Sequence, residues 1–332
     1  MRTPGILPAG AAAAALLVLA MGAPAAAQAP GQPAAWIPVA CDRDCLIGDL
    51  HSYMDALVHK DPSRAPLAKT ATFTENDVAI PIGEGLWNTI SGASPSGLEV
   101  ADPATGQAAW FGLVYEHGKP AYYAMRLRAA AGRIVEIETV VVRQTGLPMP
   151  FGDPAHYAHD GAFTDVLAPA ERRPRERLRA VADSYFNTVE LNDGVVFAPF
   201  DAECERTENG ITTTKADPAS IGTAAGIAQG CEAQFKLGLY RINKRVRERR
   251  YPLIDEERGV VVATGFFDHA NGFDSYQTTD GKTMKTALKW PNSISLMEAF
   301  KIKDGRIYRV EAIFTYVPYF MHSPWATPAA GR

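Results

Sequence analysis

The sequence predicts an α+β protein in which one architecture, a leading helix followed by an antiparallel sheet, is written twice. The first observation is a set of recurring landmarks. Tyr53, Thr74-Glu75-Asn76, Asp102-Pro-Ala-Thr-Gly106 and Gly132-Arg-Ile-Val-Glu-Ile-Glu138 return in order as Tyr185, Thr207-Glu208-Asn209, Asp255-Glu-Glu-Arg-Gly259 and Gly305-Arg-Ile-Tyr-Arg-Val-Glu311, at separations of 132, 133, 153 and 173 residues. Order is kept and spacing only grows, as insertions into the second copy of an internal duplication produce. The second observation is periodicity: Leu46, Leu50, Tyr53 and Leu57, and again Leu178, Val181, Tyr185 and Val189, recur at helical spacing. The third is a trio of strand-like runs in each copy, 108–116, 121–128 and 133–143 against 260–269, 293–301 and 306–316.

Before the first copy, one arginine, an apolar run from Ala11 to Ala20 and the small residues Ala27-Gln28-Ala29 have the layout of a secretory signal peptide with an A-x-A cleavage site. Residues 1–29 are therefore expected to direct export, giving a periplasmic or secreted protein. The apolar run is short for a membrane span and is followed by Pro24 and Pro30, and no later segment is expected to cross a bilayer. The remaining chain has room for two domains, expected at 36–143 and 173–325, with the Pro- and Gly-rich stretch 144–172 as linker. The formal net charge of −4 argues against a nucleic-acid partner.

Within each copy, a short strand should end at Asn76-Asp77 or Asn209-Gly210, where Asn and Gly supply the positive φ of a tight hairpin. Thr-Glu-Asn is thus read as structural. Gly118 and Gly132 join the three strands of the first copy into a meander; the second copy instead carries a polar insertion, "ANGFDSYQTTDGKTMKTALKWPN", suited to a lid or rim. A further insertion at 215–240 carries Cys231 and is expected to include helix. Four cysteines allow three pairings. In an oxidising compartment the local one, Cys41 with Cys45 and Cys204 with Cys231, is expected, and no histidine stands at ligand spacing to make a metal site.

Aligning the copies through their turns sets Ala121, Tyr123, Met125 and Leu127 against Ile294, Leu296, Glu298 and Phe300. Glu298 therefore replaces an apolar residue on an inward strand face, where burial would raise its pKa and suit it to general acid or base work; the competing reading is a structural ion pair with a nearby arginine. Asp268 and His269 are adjacent on a strand, so one faces in and the other out unless a bulge turns both. Asp268 shares a face with Phe266, and His269 is the natural proton shuttle of the two. The run "RINKRVRERR" (241–250) fits either strand or helix spacing. It is read as a solvated face paired with Asp255, Glu256 and Glu257, or as the source of one inward arginine, Arg249, for a substrate carboxylate or phenolate. Phe266, Leu296, Phe300 and Tyr240 are the expected apolar lining. Glu138 and Glu311, at matched positions, are expected to share a structural role. No P-loop, dinucleotide fingerprint, His-Glu-x-x-His or Gly-x-Ser-x-Gly is present, so a mechanism without cofactor is expected.

A leading helix, a bent sheet and the closing strands "GRIVEIE" and "GRIYRVE" resemble the cone-shaped α+β fold of the nuclear transport factor 2-like superfamily and its SnoaL-like branch of polyketide cyclases, ketosteroid isomerases and scytalone dehydratases. With "CDRDC", "RRYPLIDEERG" and "FFDH", the tandem form looks like an uncharacterised exported family. The resemblance implies two such domains packed as a pseudo-dimer, each with an apolar funnel. It also implies that Tyr185 can act as a donor to a substrate carbonyl. The combined expectation is a cofactor-free lyase, dehydratase or isomerase acting on a small apolar or aromatic molecule in the second copy, with Glu298 or Asp268 as base, His269 as shuttle and Tyr185 or Arg249 as donor. The first copy would be scaffold, and the protein a monomeric pseudo-dimer or a homo-oligomer. The alternatives are a non-catalytic small-molecule-binding protein and a structural envelope protein with filled funnels.

Overall fold

Asp42 starts the first helix by accepting a hydrogen bond from the Cys45 backbone N–H at 3.0 Å, satisfying one of the free donors of a helix start. That helix, α1 (Arg43–Val58), buries Leu46, Leu50, Tyr53, Ala56 and Leu57. The later helix of the same kind buries Leu178, Val181, Tyr185 and Val189 along Arg175–Leu191 and stops at Asn192 in the left-handed conformation. A single turn, α2 (Leu86–Thr89), lies between them, so Arg175–Leu191 is α3. The structure is a computed structural model and describes residues 41–145, 149–215, 229–286 and 288–326. The expected signal peptide at 1–29 falls outside them, and among the described residues no helix is long and apolar enough to cross a membrane.

The architecture is α+β with two mixed sheets. The first contains β1 (Leu67–Glu75), β2 (Val78–Ala79), β3 (Ile90–Ala93), β4 (Leu98–Asp102), β5 (Gln107–Glu116), β6 (Lys119–Ala130) and β7 (Arg133–Val142), in the order β2-β1-β7-β6-β5-β3 with β4 also on β5. The second is built from β8 (Phe200–Glu208), β9 (Ile211–Thr212), β10 (Arg245–Asp255), β11 (Val260–His269), β14 (Asn292–Lys303) and β15 (Arg306–Pro318), in the order β10-β11-β14-β15-β8-β9. A separate hairpin, β12 (Ser275–Gln277) and β13 (Thr283–Lys285), occupies the polar insertion. Each sheet differs from the expected purely antiparallel one by a single parallel pair, β1 with β7 and β8 with β15. The meander that follows the first strand ends beside it and runs in the same direction.

The repeated Thr-Glu-Asn has a physical explanation at that parallel pair. Asn76 and Asp77 (φ 50° and 63°) and Asn209 and Gly210 (φ 43° and 79°) form the tight left-handed turns. Each asparagine then clamps the last strand of its sheet. Asn76 accepts from the Val141 N–H at 2.8 Å and donates to the Val141 carbonyl at 3.2 Å, while Asn209 makes the same pair with Phe314 at 3.0 and 2.9 Å.

The two sheets pack face to face through Leu98, Val100, Phe111, Tyr122, Val140 and Val142 on one side and Leu253, Val260, Val262, Met297 and Ile313 on the other. Contacts across this layer come in matched pairs. Arg43 at the start of α1 reaches Asp255 at the end of β10 (2.6 Å), and Arg175 at the start of α3 forks onto Asp102 at the end of β4 (2.9 and 2.7 Å). Asp77 in the first turn accepts from Ser295 of β14. Its positional equivalent Gly210 lies under Tyr122 of β6, whose hydroxyl is 2.0 Å from where a Cβ would stand. At the edge of the layer Glu138 is buried between Arg126 (2.6 Å) and Arg250. Glu311 does not share that role: its cross-strand neighbour is Ala299 rather than an arginine, and it instead accepts from Tyr157 and His159. Those two residues belong to the expected linker, which packs as a strap with Phe151 and Tyr157 against Tyr122.

The arginine-rich run is strand β10, and its partners are not the acidic turn expected. Asp255 is taken by Arg43 and Arg258. A bulge at Glu248 (φ 52°) breaks the alternation, so Arg245 and Arg247 meet Asp268, Arg249 turns to α3, and Arg250 meets Glu138. Both disulfides join the expected partners. Cys204–Cys231 closes 27 residues and ties β8 to the short helix α4 (Cys231–Lys236), an entropic contribution of about 3.5 kcal/mol, against about 2 kcal/mol for the separation of 4 in Cys41–Cys45.

Asn209→Ala removes the clamp and puts into the left-handed region a residue that tolerates it less well than asparagine. The expected loss is about 2–4 kcal/mol, read as a lower urea midpoint. Asn209→Gly, which keeps the turn and loses only the side-chain bonds, should cost visibly less; equal losses would place the effect in the bonds alone.

Candidate functional site

One row of residues across each sheet decides where a cavity can form. In the first sheet Met125 stands between Trp110 and Thr139; in the second the same row is Ala263, Glu298 and Ala312. The large indole fills the concave side of the first sheet together with Tyr53, Trp87 and Tyr123, all buried. Replacing that bulk by two alanines leaves room in the second, and a cavity of about 110 Å³ opens there, near the scale at which a buried apolar site accepts a single aromatic ring. Its wall is mostly apolar, with Val189, Leu239, Phe267, Ile294, Leu296 and Phe314 prominent.

Glu298 points into this cavity and is 3 % exposed. Loss of hydration pushes its pKa up to about 8; nearby Arg206 and a hydrogen bond from Tyr185 oppose the shift, and Glu208 adds to it. One oxygen, Oε2, has no hydrogen-bond partner among the described residues. At neutral pH the carboxyl is therefore mostly protonated, and close enough to neutrality to trade its proton in either direction.

Arg206 is the buried cationic group of the site. It stands on β8 at 2 % exposure, donates to Tyr240 (2.8 Å) and Gln234 (3.1 Å), and pairs with Glu208, two residues on along the same strand face. Its guanidinium lies among the rings of Phe235, Tyr240 and Tyr185, 4.9–5.7 Å from their centroids. These partners and Glu208 hold it firmly charged, yet its Nε–H is buried without an acceptor among the described residues. Cys231 anchors the helix that supplies Gln234 and Phe235, so the second disulfide fixes the arginine's surroundings.

The other expected residues divide between the two faces of β11. His269 and Phe267 line the cavity; Asp268 and Phe266 face the layer between the sheets. Asp268 accepts from Ser293 (2.6 Å) and Arg247 (2.9 Å), and Phe266 lies under the Arg247 guanidinium at 4.5 Å, so neither belongs to the site. His269 is not beside Glu298. Glu298 pairs with Ala263, and six further residues of extended strand, roughly 20 Å, lead to His269. Its ring is held at both nitrogens, Nδ1 by Asn292 (2.9 Å) and Nε2 by Asn243 (2.8 Å), and burial lowers its pKa. Asn292 donates its own amide N–H to the Trp290 carbonyl, which aims its oxygen at Nδ1, and Asn243 presents its oxygen to Nε2. The expected shuttle is thus an imidazole anchored at both nitrogens, at the far end of the cavity from Glu298.

Arg249 lies outside the cavity. The bulge at Glu248 turns it to α3, where it pairs with Asn187 (2.6 Å), Asp183 (3.3 Å) and Glu190 (2.5 Å). Tyr185, Leu296 and Tyr240 line the cavity, while Phe300 packs below it against Tyr185 with ring centroids 5.0 Å apart. The polar insertion forms the rim through Tyr276, Lys285, Thr286 and Leu288. Sequence reasoning missed Arg206 and Glu208. The signal was present: by the same offset of 133 that aligns the two Thr-Glu-Asn tripeptides, Arg206 falls opposite Phe73, as the Gly-Arg-Ile offset of 173 sets Glu298 opposite Met125. Among the described residues the grouping of ligand atoms that could hold a metal is Cys41, Cys45 and Asp49, far along the chain from the cavity residues, and its two sulfurs are bonded to each other.

A family model described as a domain of unknown function (DUF8021) matches residues 171–314, the part of the chain that carries α3, the second sheet and the cavity. No curated protein matches the chain. Among solved structures, an NTF2-like protein of unknown function from Cytophaga hutchinsonii is similar at 11 % identity and TM-score 0.24, covering 30 % of this chain and 88 % of its own. AusH from Aspergillus nidulans is similar at 15 % identity and TM-score 0.28 over 43 % of this chain and 86 % of its own. A protein of unknown function with a cystatin-like fold from Methylobium petroleophilum is similar at 16 % identity and TM-score 0.28 over 41 % of this chain and 99 % of its own.

The raised pKa of Glu298 has a stability consequence with a definite sign. Between the unfolded value near 4.5 and the folded value of about 8 the folded state holds the extra proton, so stability falls as pH rises through that window. Glu298→Gln should therefore raise the melting temperature, by a margin that grows from pH 5 to pH 8 and then levels. A margin independent of pH would show that the carboxyl is not desolvated in the folded protein.

Proposed function

We propose that the chain is a cofactor-free enzyme that moves protons on a small, largely apolar carbonyl compound held in the cavity of the second sheet, with isomerisation, dehydration or retro-aldol cleavage as the reaction class. The observation that carries this reading is Glu298: an inward carboxyl with one unpartnered oxygen, balanced near neutrality in an apolar cavity. A purely structural carboxyl at that position would be locked to the nearest cation. Here Arg206 is already engaged by Glu208, Gln234 and Tyr240, and its free Nε–H is left for another acceptor.

The roles follow from that arrangement. The Glu298 carboxylate removes a proton from the carbon beside the carbonyl, and the Arg206 Nε–H stabilises the oxygen as negative charge develops on it. Returning the proton to another carbon completes an isomerisation; delivering it to a β-hydroxyl releases water. Tyr185 positions Glu298 through its hydrogen bond, and the anchored His269 with Asn243 shapes the far end of the cavity. Arg206 thus takes the donor role expected of Arg249.

The wider organisation belongs to the same proposal. The chain is read as a tandem duplication, with domains at 36–143 and 173–325 joined by 144–172, in which the first copy is scaffold. What supports it is the reciprocity of the contacts between the sheets, Arg43 to Asp255 and Arg175 to Asp102, which is the pattern a two-fold dimer interface makes. Export is supported by the two disulfides together with the N-terminal sequence.

Purified protein incubated with a metabolite extract, without added cofactor, tests the reading by untargeted mass spectrometry beside Glu298→Gln. The expected outcome is a compound consumed only by the wild type, with a product isomeric with it or lighter by water or a small carbonyl fragment. On that substrate kcat/KM should rise about tenfold per pH unit below a midpoint near 8, and Glu298→Gln should cost about 10²–10⁴-fold. Compounds that co-purify unchanged with both proteins would replace catalysis with ligand binding.

A further inference from the structure

The two disulfides of this chain sit in opposite environments. Cys204 and Cys231 are 3 % and 1 % exposed, and they fasten α4 to β8 beside Arg206. Cys41 and Cys45 bracket the first residues of α1, where Cys45 is open to solvent and Cys41 is only partly covered. The Asp49 carboxyl stands one turn further along the helix, and its oxygen and both sulfurs lie within 4.8 Å of one another.

A structural purpose does not account for the exposed bridge. The start of α1 is already capped by the Asp42 side chain on the Cys45 N–H. Between the cysteines, Arg43 makes the contact to Asp255, but the matching contact of Arg175 with Asp102 forms at the start of α3 with no disulfide around it. A loop this short also constrains the unfolded chain least. What the arrangement does provide is an accessible sulfur, a helix start that favours a thiolate, and a carboxyl beside the leaving group.

We propose that Cys41–Cys45 is an exchangeable redox site for thiol partners, separate from the cavity. A partner thiolate attacks the exposed Cys45 Sγ; the new S–S bond joins partner and Cys45, the Cys41–Cys45 bond breaks, and the electron pair leaves on Cys41 Sγ, which takes a proton by way of Asp49. A second partner thiol then resolves the mixed disulfide, releasing Cys45 as thiolate. Two electrons pass from two partner thiols, which leave as a disulfide, to the chain, which becomes a dithiol. Burial raises the Asp49 pKa, which fits a carboxyl that carries a proton for part of the cycle.

The test uses the folded, exported form in glutathione buffers of graded reduced-to-oxidised ratio, with thiols trapped by alkylation and each cysteine quantified by peptide mass spectrometry. Cys41–Cys45 should open at least about tenfold more readily than Cys204–Cys231, with the fold retained and only the small fall in melting temperature that losing so short a loop implies. Cys41→Ser should accumulate glutathione on Cys45, and Asp49→Asn should slow exchange about tenfold in a protein of unchanged melting temperature. If both bridges resist reduction equally, or if opening Cys41–Cys45 alone melts the fold, the bridge is a brace and the proposal fails. Equal exchange rates in Asp49→Asn would remove the carboxyl from the mechanism.

Discussion

The constraint on which this structure depends is that the central strands of both sheets are buried on both faces. The sheets meet through one face and are covered by α1 or α3 on the other. A strand in that situation has no wet side to which a charged residue can be assigned. Each charge on it must find a partner, change its protonation state, or face a space where something else can meet it. In the layer between the sheets the first solution is used for Glu138, which lies between Arg126 and Arg250, and for Asp268, which meets Arg247 and Ser293. On the concave side of the second sheet it is used only in part. Arg206 and Glu208 pair with one another, Glu298 is left over, and its proton supplies the neutrality that no partner does.

The layer between the sheets is also what makes one concave side free to change. With the first sheet filled by Trp87, Trp110, Tyr53 and Tyr123, roughly half of the apolar cover and all of the matched clasps are secured without help from the second cavity. Trading an indole for Ala263, and Phe73 and Met125 for Arg206 and Glu298, would strip a lone domain of much of its core. Packed against the filled first sheet, the second sheet can carry that loss. Its insertions then add what the missing core took away: α4 holds the arginine, the Cys204–Cys231 bridge holds α4, and the rim hairpin narrows the mouth.

Much of this was legible in the sequence, for identifiable reasons. The turns at Asn76 and Asn209 and the long strands at 107–116, 119–130, 260–269 and 292–303 follow from positive-φ residues and alternation, both local properties. Glu298 was legible because its counterpart is apolar, a comparison that needs no structure. Arg206 carried the same signal but sits inside the repeated Thr-Glu-Asn strand, where the likeness of the copies drew attention from the residue that differs. Arg249 and the partners of β10 were not legible: a bulge at Glu248 turns Arg249 and Arg250, a second shift between Arg250 and Leu253 turns the strand back, and nothing in "RVRERRY" marks which residues will be the extra ones. The parallel pairs were equally hidden, since they depend on where the meander returns rather than on any strand's own pattern.

The position of Glu298 carries a cost that packing alone would have removed. A carboxyl whose folded pKa lies near 8 holds its proton against a solvent that would take it, and the folded state is weakened throughout the range in which an unfolded glutamate ionises. Met125 shows the residue that the same row accepts when only packing matters. In the proposed function, a ligand in the second-sheet cavity completes at once the costly residue and a buried arginine whose Nε–H has no acceptor among the described residues. A carbonyl compound with an acidic C–H next to its oxygen does so, because its oxygen accepts the Arg206 Nε–H while its proton lies toward Glu298. Under the proposed function, binding of substrate relieves that strain.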